Sequence, residues 1–210
     1  MALAVRTLVV GPLQTNCYIA SCTETGEAVV IDPGADARQI LRAVEEDRLS
    51  VRLIIDTHYH FDHVAANRAV QEATGAAIAI HRLDAEELTK PMALFGLSLG
   101  PAAGPADRLL EDDEEIVLGR LVLKVLPTPG HTPGGISLYC ESQPTVFSGD
   151  ALFCLGIGRT DLPGGDYEVL LRSIRTRLFT LPDTTVVYPG HGPETSIGVE
   201  RARNPFVRMV

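Results

Sequence analysis

Residues 56–63 read DTHYHFDH, which places three of the chain's six histidines and two aspartates within eight positions. Imidazole and carboxylate at this density form the donor set of borderline metals such as zinc, which take about four protein or water ligands each. His58, His60 and Asp62 share parity, so an extended segment points them to one side. His63 adds a further donor where a helix is expected to begin, with Asp62 as its cap. Four donors within six residues suffice for shares in two cations.

Three more candidates lie downstream, each following a hydrophobic run. They are His131 in PTPGHTPGG (127–135), Asp150 in FSGDALF (147–153) and His191 in VVYPGHGPE (186–194). Glycine or proline flanks each one, which permits unusual backbone and close approach. His81, in IAIHRLDAEE, is the exception. It is expected to head a helix, either exposed or behind the ligands, and not to ligate. Asp56, Thr57 and the backbone around Gly130 and Gly190 are the candidates for orienting the imidazoles.

Short β-branched runs must position these residues. They occupy 4–10, 17–22, 27–32, 51–56, 76–80, 115–118, 121–126, 135–140, 145–148 and 184–188, bounded by Gly, Pro, Asp or Asn. Helical patterns occupy 36–48, 62–75, 166–179 and 193–205, with Ile40, Leu41 and Val44 on one stripe and Val169, Leu170, Ile174 and Leu178 on another. Residues 89–107 are rich in Pro and Gly and read as a long loop of functional interest. Strands alternating with helices indicate two sheets with helices outside. No shift of composition marks a second domain, so residues 1–210 read as one domain.

The net charge is −9 and lysine occurs only at Lys90 and Lys124. Nucleic-acid partners are excluded on this ground, because phosphate contacts need clustered cations. No apolar run reaches the length of a membrane span. The N-terminus lacks a basic start and a cleavage site, so a cytoplasmic location is expected. Cys17, Cys22, Cys140 and Cys154 form no CxxC pair and are expected to be reduced thiols, with Cys154 in a packing role.

THYHFDH, TPGHTPGG, SGDALF and YPGHG together resemble the metallo-β-lactamase superfamily, and within it the glyoxalase II-like (hydroxyacylglutathione hydrolase-like) branch. The similarity extends to GPLQTNCYIA, VVIDPG, GRTDLPGGDYEVLLRSI and GPETSIGVERARNPF. The resemblance implies an α/β fold, an αββα sandwich with its metal site at the edge between the two sheets. It implies one metal on His58, His60 and His131, a second on Asp62, His63 and His191, and Asp150 bridging them. Asp62 and Asp150 are then the catalytic carboxylates. Two divalent cations are implied, zinc first, with iron or manganese as alternatives. The implied substrate is a small-molecule thioester, S-D-lactoylglutathione or a related acyl-thioester, attacked by hydroxide that two cations generate at neutral pH.

Two departures from the branch bear on the substrate. Glyoxalase II enzymes carry a C-terminal helical domain that helps hold glutathione, and no such domain is expected after NPF here. The branch's lysine and tyrosine are replaced near Arg159 and Asp161. Arg159 is expected to grip a glutathione carboxylate or else to pair with Asp161 or Asp166. Two other readings stay open. One is a persulfide dioxygenase with a single iron on His58, His131 and Asp150; that branch also carries GRTD but has alanine in place of Gly190. The other is a different hydrolase of the superfamily, such as a lactonase. A nuclease is set aside for the acidic charge, and a β-lactamase for the absence of an export signal.

Overall fold

Alternation along the strands builds two opposed apolar faces in each sheet. The computed structural model describes residues 2–94 and 97–207. The first half runs β1 Leu3–Val10, β2 Thr15–Cys22, β3 Glu27–Ile31, α1 Ala37–Glu46, β4 Ser50–Asp56, α2 Phe61–Val64, α3 Asn67–Thr74 and β5 Ala77–His81. β6 Met92–Leu94 and β7 Leu97–Gly100 form a hairpin, and β8 Arg108–Leu110 closes the first sheet. The second half runs β9 Glu115–Leu118, β10 Leu121–Pro127, β11 Ile136–Cys140, β12 Thr145–Gly149, β13 Leu152–Phe153, β14 Gly156–Ile157, α4 Tyr167–Ser173, β15 Val186–Pro189, β16 Thr195–Ser196 and α5 Ile197–Arg203.

The first sheet has the order β1-β2-β3-β4-β5-β8, antiparallel up to β3 and parallel thereafter. The second has the order β16-β15-β12-β11-β10-β9, with β12 and β15 parallel. β2 is buried along its whole length because both its faces are covered. Tyr18, Ala20 and Cys22 face the second sheet and meet Leu123, Val125, Leu138 and Phe147. Cys17 and Ile19 face the other way, toward Ile40, Val44 and Val70 of α1 and α3. On the outer face of the second sheet, Val146 and Val187 pack against Leu170, Ile174 and Ile197. The layers are thus helix, sheet, sheet, helix, which is the αββα architecture expected. Each large aliphatic side chain fully buried here contributes about 1.5–3 kcal/mol.

Several expectations are corrected. The helix expected over 62–75 is two helices, broken at Ala65 and Ala66, where Ala66 N–H donates to Pro33 O at 2.9 Å. Asp62 is not its cap: His60 holds that position and Asp62 lies inside the first turn. The loop at 89–107 contains the β6–β7 hairpin and follows a 3₁₀ turn at Glu87–Thr89. The helix after Asp166, whose side chain accepts Val169 N–H, ends in a π turn at Ile174–Leu178. The last helix starts only at Ile197, because Thr195 and Ser196 pair with β15. β8 has no counterpart among the expected strands, since only Leu110 of its three residues is buried.

Candidate metal centre

The candidate residues arrive from four strand ends. β4 delivers Thr57 and His58, and the chain then turns into α2 carrying His60, Asp62 and His63. The parity expected for His58, His60 and Asp62 does not hold, because the strand stops at Asp56 and the donors converge through this turn. His131 follows β10, Asp150 follows β12 and His191 follows β15.

Donor atoms of His58, His60 and His131 lie within 4.8 Å of one another, as do those of Asp62, His63 and His191. A third such group joins His58 and His63 to Asp150. Asp150 touches both sides: its Oδ1 is 3.4 Å from His63 Nε2, and its Oδ2 is 3.5 Å from His131 Nε2 and 3.7 Å from His191 Nε2. Asp62 Oδ2 lies 3.3 Å from His191 Nε2 and 3.5 Å from His63 Nε2. All seven expected donors therefore meet at one place. His81 is not among them.

Two observations fit this donor set to divalent cations. His58 Nε2 and Asp150 Oδ1 are buried without a hydrogen-bond partner, a state that costs about 1–3 kcal/mol per group unless something binds there. Protonation also favours ligation on one side. Burial, and then the neighbouring imidazoles, hold His58 well below the usual histidine range and bring His60 down to about 3. Both rings are neutral, as ligation requires. Burial opposes charge on His63, but Asp150, Asp32 and Asp62 outweigh it and raise His63 to about 10. Burial likewise opposes the charge on Asp62, yet hydrogen bonding to His191 and the His63 charge hold it below the usual carboxylate range.

A buried frame aims the donors. Asp32, at the end of β3, accepts from Thr57 N–H and Thr57 Oγ1 at 2.7 Å each and lies 3.0 Å from His63 Nδ1. This turns His63 Nε2 toward the site. Thr57 Oγ1 is 3.1 Å from His58 Nδ1, and His131 Nδ1 is 2.6 Å from the carbonyl of Arg159. Thr15 Oγ1 donates to Asp62 Oδ2 at 2.9 Å. Asn16 Nδ2 donates to the carbonyls of Pro189 and Gly192, and Tyr18 OH to Pro189 O, which fixes the turn that carries His191. At Gly190 a Cβ would meet Asp150 Oδ1 at 2.1 Å, so a side chain there displaces the carboxylate.

Of the orienting groups expected, only Thr57 takes that role. Asp56 is buried and accepts from Asn67 Nδ2 at 2.7 Å, with no hydrogen bond to an imidazole. Gly130 and Gly190 use their carbonyls to accept from Asp166 and Asn16. Asp32 and Asp84 were not among the expected site residues. Asp84 is fully buried and ties the two ligand loops together. Its Oδ2 accepts from Thr132 Oγ1 and its Oδ1 from Gly134 N–H, both at 2.6 Å, and the Tyr59 backbone bonds the same carboxylate. His81 neither heads a helix nor lies exposed. It ends β5, buried, with Nε2 3.1 Å from Asp112 Oδ1.

These neighbours give a contrast to measure. His81→Ala should leave metal content unchanged, whereas Asp84→Ala should weaken metal retention about 10-fold, the lower end for groups that orient ligands. Competition with a chelator reads both. Metal loss in the His81 variant with a tight Asp84 variant would reverse the assignment.

Above the donors opens a cavity of about 370 Å³, floored by His60, Asp62, His131, Asp150 and His191. Arg159 stands at its wall, with its guanidinium paired bidentately to Asp161 at 2.7 and 2.8 Å. Cys154 is a half-buried free thiol and lies outside the lining; Cys17, Cys22 and Cys140 are buried free thiols. No helix among the described residues is long and apolar enough to cross a membrane.

The family model for the metallo-β-lactamase superfamily matches residues 10–191. Among curated relatives, the probable metallo-hydrolase YqgX of Bacillus subtilis is 40% identical over 96% of each chain. The hydroxyacylglutathione hydrolase GloC of Haemophilus influenzae is 39% identical over 92% of this chain and 93% of its own. Among solved structures, the BLEG-1 B3 metallo-β-lactamase superposes with a TM-score of 0.91 at 38% identity, covering 97% of this chain and 99% of that one. TTHA1623, in a di-iron-bound form, gives 0.86 at 38% identity over 96% and 100%. ETHE1 from Myxococcus xanthus gives 0.78 at 35% identity over 96% and 83%. With the layered fold and the converging donors, these matches make the chain a member of the metallo-β-lactamase superfamily, a family of metal-dependent hydrolases and related enzymes.

Proposed function

We propose that this chain is a dinuclear metal-dependent hydrolase of thioesters, acting in the cytoplasm as one domain on a small-molecule acyl-thioester. The observation that carries the dinuclear reading is the position of Asp150, whose two oxygens face histidines of both donor sets. His58, His60 and His131 would hold one cation and Asp62, His63 and His191 the other, with zinc, iron or manganese compatible with the donors. When bound, the pair supplies a water acidic enough to ionise at neutral pH and a Lewis acid for the carbonyl.

The chain's own residues keep that arrangement fixed. Thr15 holds the Asp62 carboxylate in place, and Asp32 with Thr57 holds the rings of His63 and His58. A thiolate leaves without a strong general acid. The cavity wall matches this requirement: Tyr59 OH donates to Pro163 O, and Glu87 is paired with Lys90. The name of the Haemophilus relative supports the thioester class.

The name of the BLEG-1 neighbour favours a second reading, a β-lactamase. The dioxygenase reading finds less support at Gly190, where an alanine would collide with Asp150. The experiment is elemental analysis of metal-replete protein, with parallel assays on acyl-thioesters, a β-lactam and glutathione persulfide. Two metal equivalents and thioester turnover are expected. One equivalent with oxygen uptake on the persulfide would give the case to the dioxygenase, and turnover of the β-lactam alone would give it to the lactamase.

A further inference from the structure

The wall of the cavity differs in kind from its floor. Tyr59, Val64, Leu88, Met92, Ala103 and Leu162 line it with carbon. Val64, Leu88 and Ala103 are fixed in the core behind it, and Met92 packs against the same cluster. Among the described residues two cations reach this wall, Lys90 and Arg159, and both are already matched. Lys90 Nζ lies 2.6 Å from Glu87 Oε1 and 3.6 Å from Glu86 Oε1. Arg159 is bound bidentately by Asp161.

A glutathione arm carries two carboxylates. Each would share its cation with a carboxylate already seated on Lys90 or Arg159, and an added exposed ion pair gains little. An apolar chain meets no such competition. Each methylene fully removed from water gains about fourfold in binding.

We infer that the cavity selects an uncharged, apolar chain beside the scissile bond, so that this enzyme prefers medium-chain acyl-thioesters of neutral thiols to glutathione thioesters. The inference rests on the thioester-hydrolase reading and departs from the carboxylate-binding role expected of Arg159.

The test compares acetyl-, butanoyl- and hexanoyl-N-acetylcysteamine with hexanoylglutathione and lactoylglutathione. From acetyl to hexanoyl, kcat/KM should rise at least about 10-fold, short of the product of four fully buried methylenes. Hexanoylglutathione should be no better than its neutral counterpart. Met92→Ser should lower the hexanoyl-to-acetyl ratio about threefold or more, by removing apolar wall.

A second readout needs neither metal nor turnover. In metal-free protein with labelled methionine methyl groups, 2-octanone should shift the Met92 resonance and glutathione should leave it in place. A flat chain-length series with glutathione thioesters preferred about tenfold would overturn the inference while keeping the thioester reading. Absence of turnover on every thioester would sink the thioester reading, and the Met92 resonance would then decide the cavity's preference by itself.

Discussion

Asp150→Ala should remove at least one of two metal equivalents and lower turnover by more than about 100-fold, the upper end seen when only an orienting partner is lost. The reason is geometric. Asp150 approaches His63 with one oxygen and His131 and His191 with the other, so one carboxylate reaches histidines of both sets. Removing it takes away a negative charge from both positions and leaves the rings of His63, His131 and His191 without their shared carboxylate. Asp150→Asn keeps one neutral oxygen and should impair in the same direction, because the charge is lost. Elemental analysis after exhaustive dialysis, followed by a thioester assay at saturating metal, checks both. Two tightly held equivalents with near-normal turnover in Asp150→Ala would remove Asp150 from the bridging position.

Much of this centre was legible because metal chemistry uses rare residue types. Five of six histidines lie within two residues of Gly, Pro or Asp after a hydrophobic run, and that grammar is visible in the sequence. The layers were legible too, since buried strands are short β-branched runs. The frame behind the ligands was not. Asp32 ends an apolar strand in VVIDPG much as Asp56 ends VRLIID, and nothing local says which of the two meets an imidazole. The structure decides it: Asp32 adopts φ 52° and turns its carboxylate to Thr57 and His63, while Asp56 is taken by Asn67. Asp84 is hidden for a related reason. It reads as an acid near a helix start, and only the approach of residues 132–134, far along the chain, reveals it as a clamp. The break at Ala65–Ala66 also escapes periodicity, because it is set by Pro33 and by Gly34 passing so close to Asp62 that a Cβ would overlap its carbonyl.

Asp32→Asn should weaken metal binding about 10- to 100-fold and change how many protons leave on binding. In metal-free protein, burial opposes the charge on His63, but Asp150, Asp32 and Asp62 raise its pKa to about 10. At pH 8 the ring is therefore protonated, and a cation at Nε2 must displace that proton. His58 and His60, lowered by burial and by neighbouring rings, have none to give. Zinc titrated into metal-free protein at pH 8 should thus release most of one proton from His63, and this contribution should fade as pH rises past about 10. The sign for stability follows from the same shift. A raised pKa stabilises the metal-free fold fully below the unfolded value of about 6.5, and that contribution is lost as pH climbs through about 10. Asp32→Asn removes one of the three carboxylates and presents an amide to Nδ1, so both the proton release and the alkaline fall in Tm of metal-free protein should shrink. Calorimetry in buffers of different ionisation enthalpy measures the first, and thermal melts from pH 7 to 10 the second. Unchanged zinc affinity with unchanged proton release in Asp32→Asn would mean that Asp32 supports the Thr57 turn and leaves His63 to the other two carboxylates.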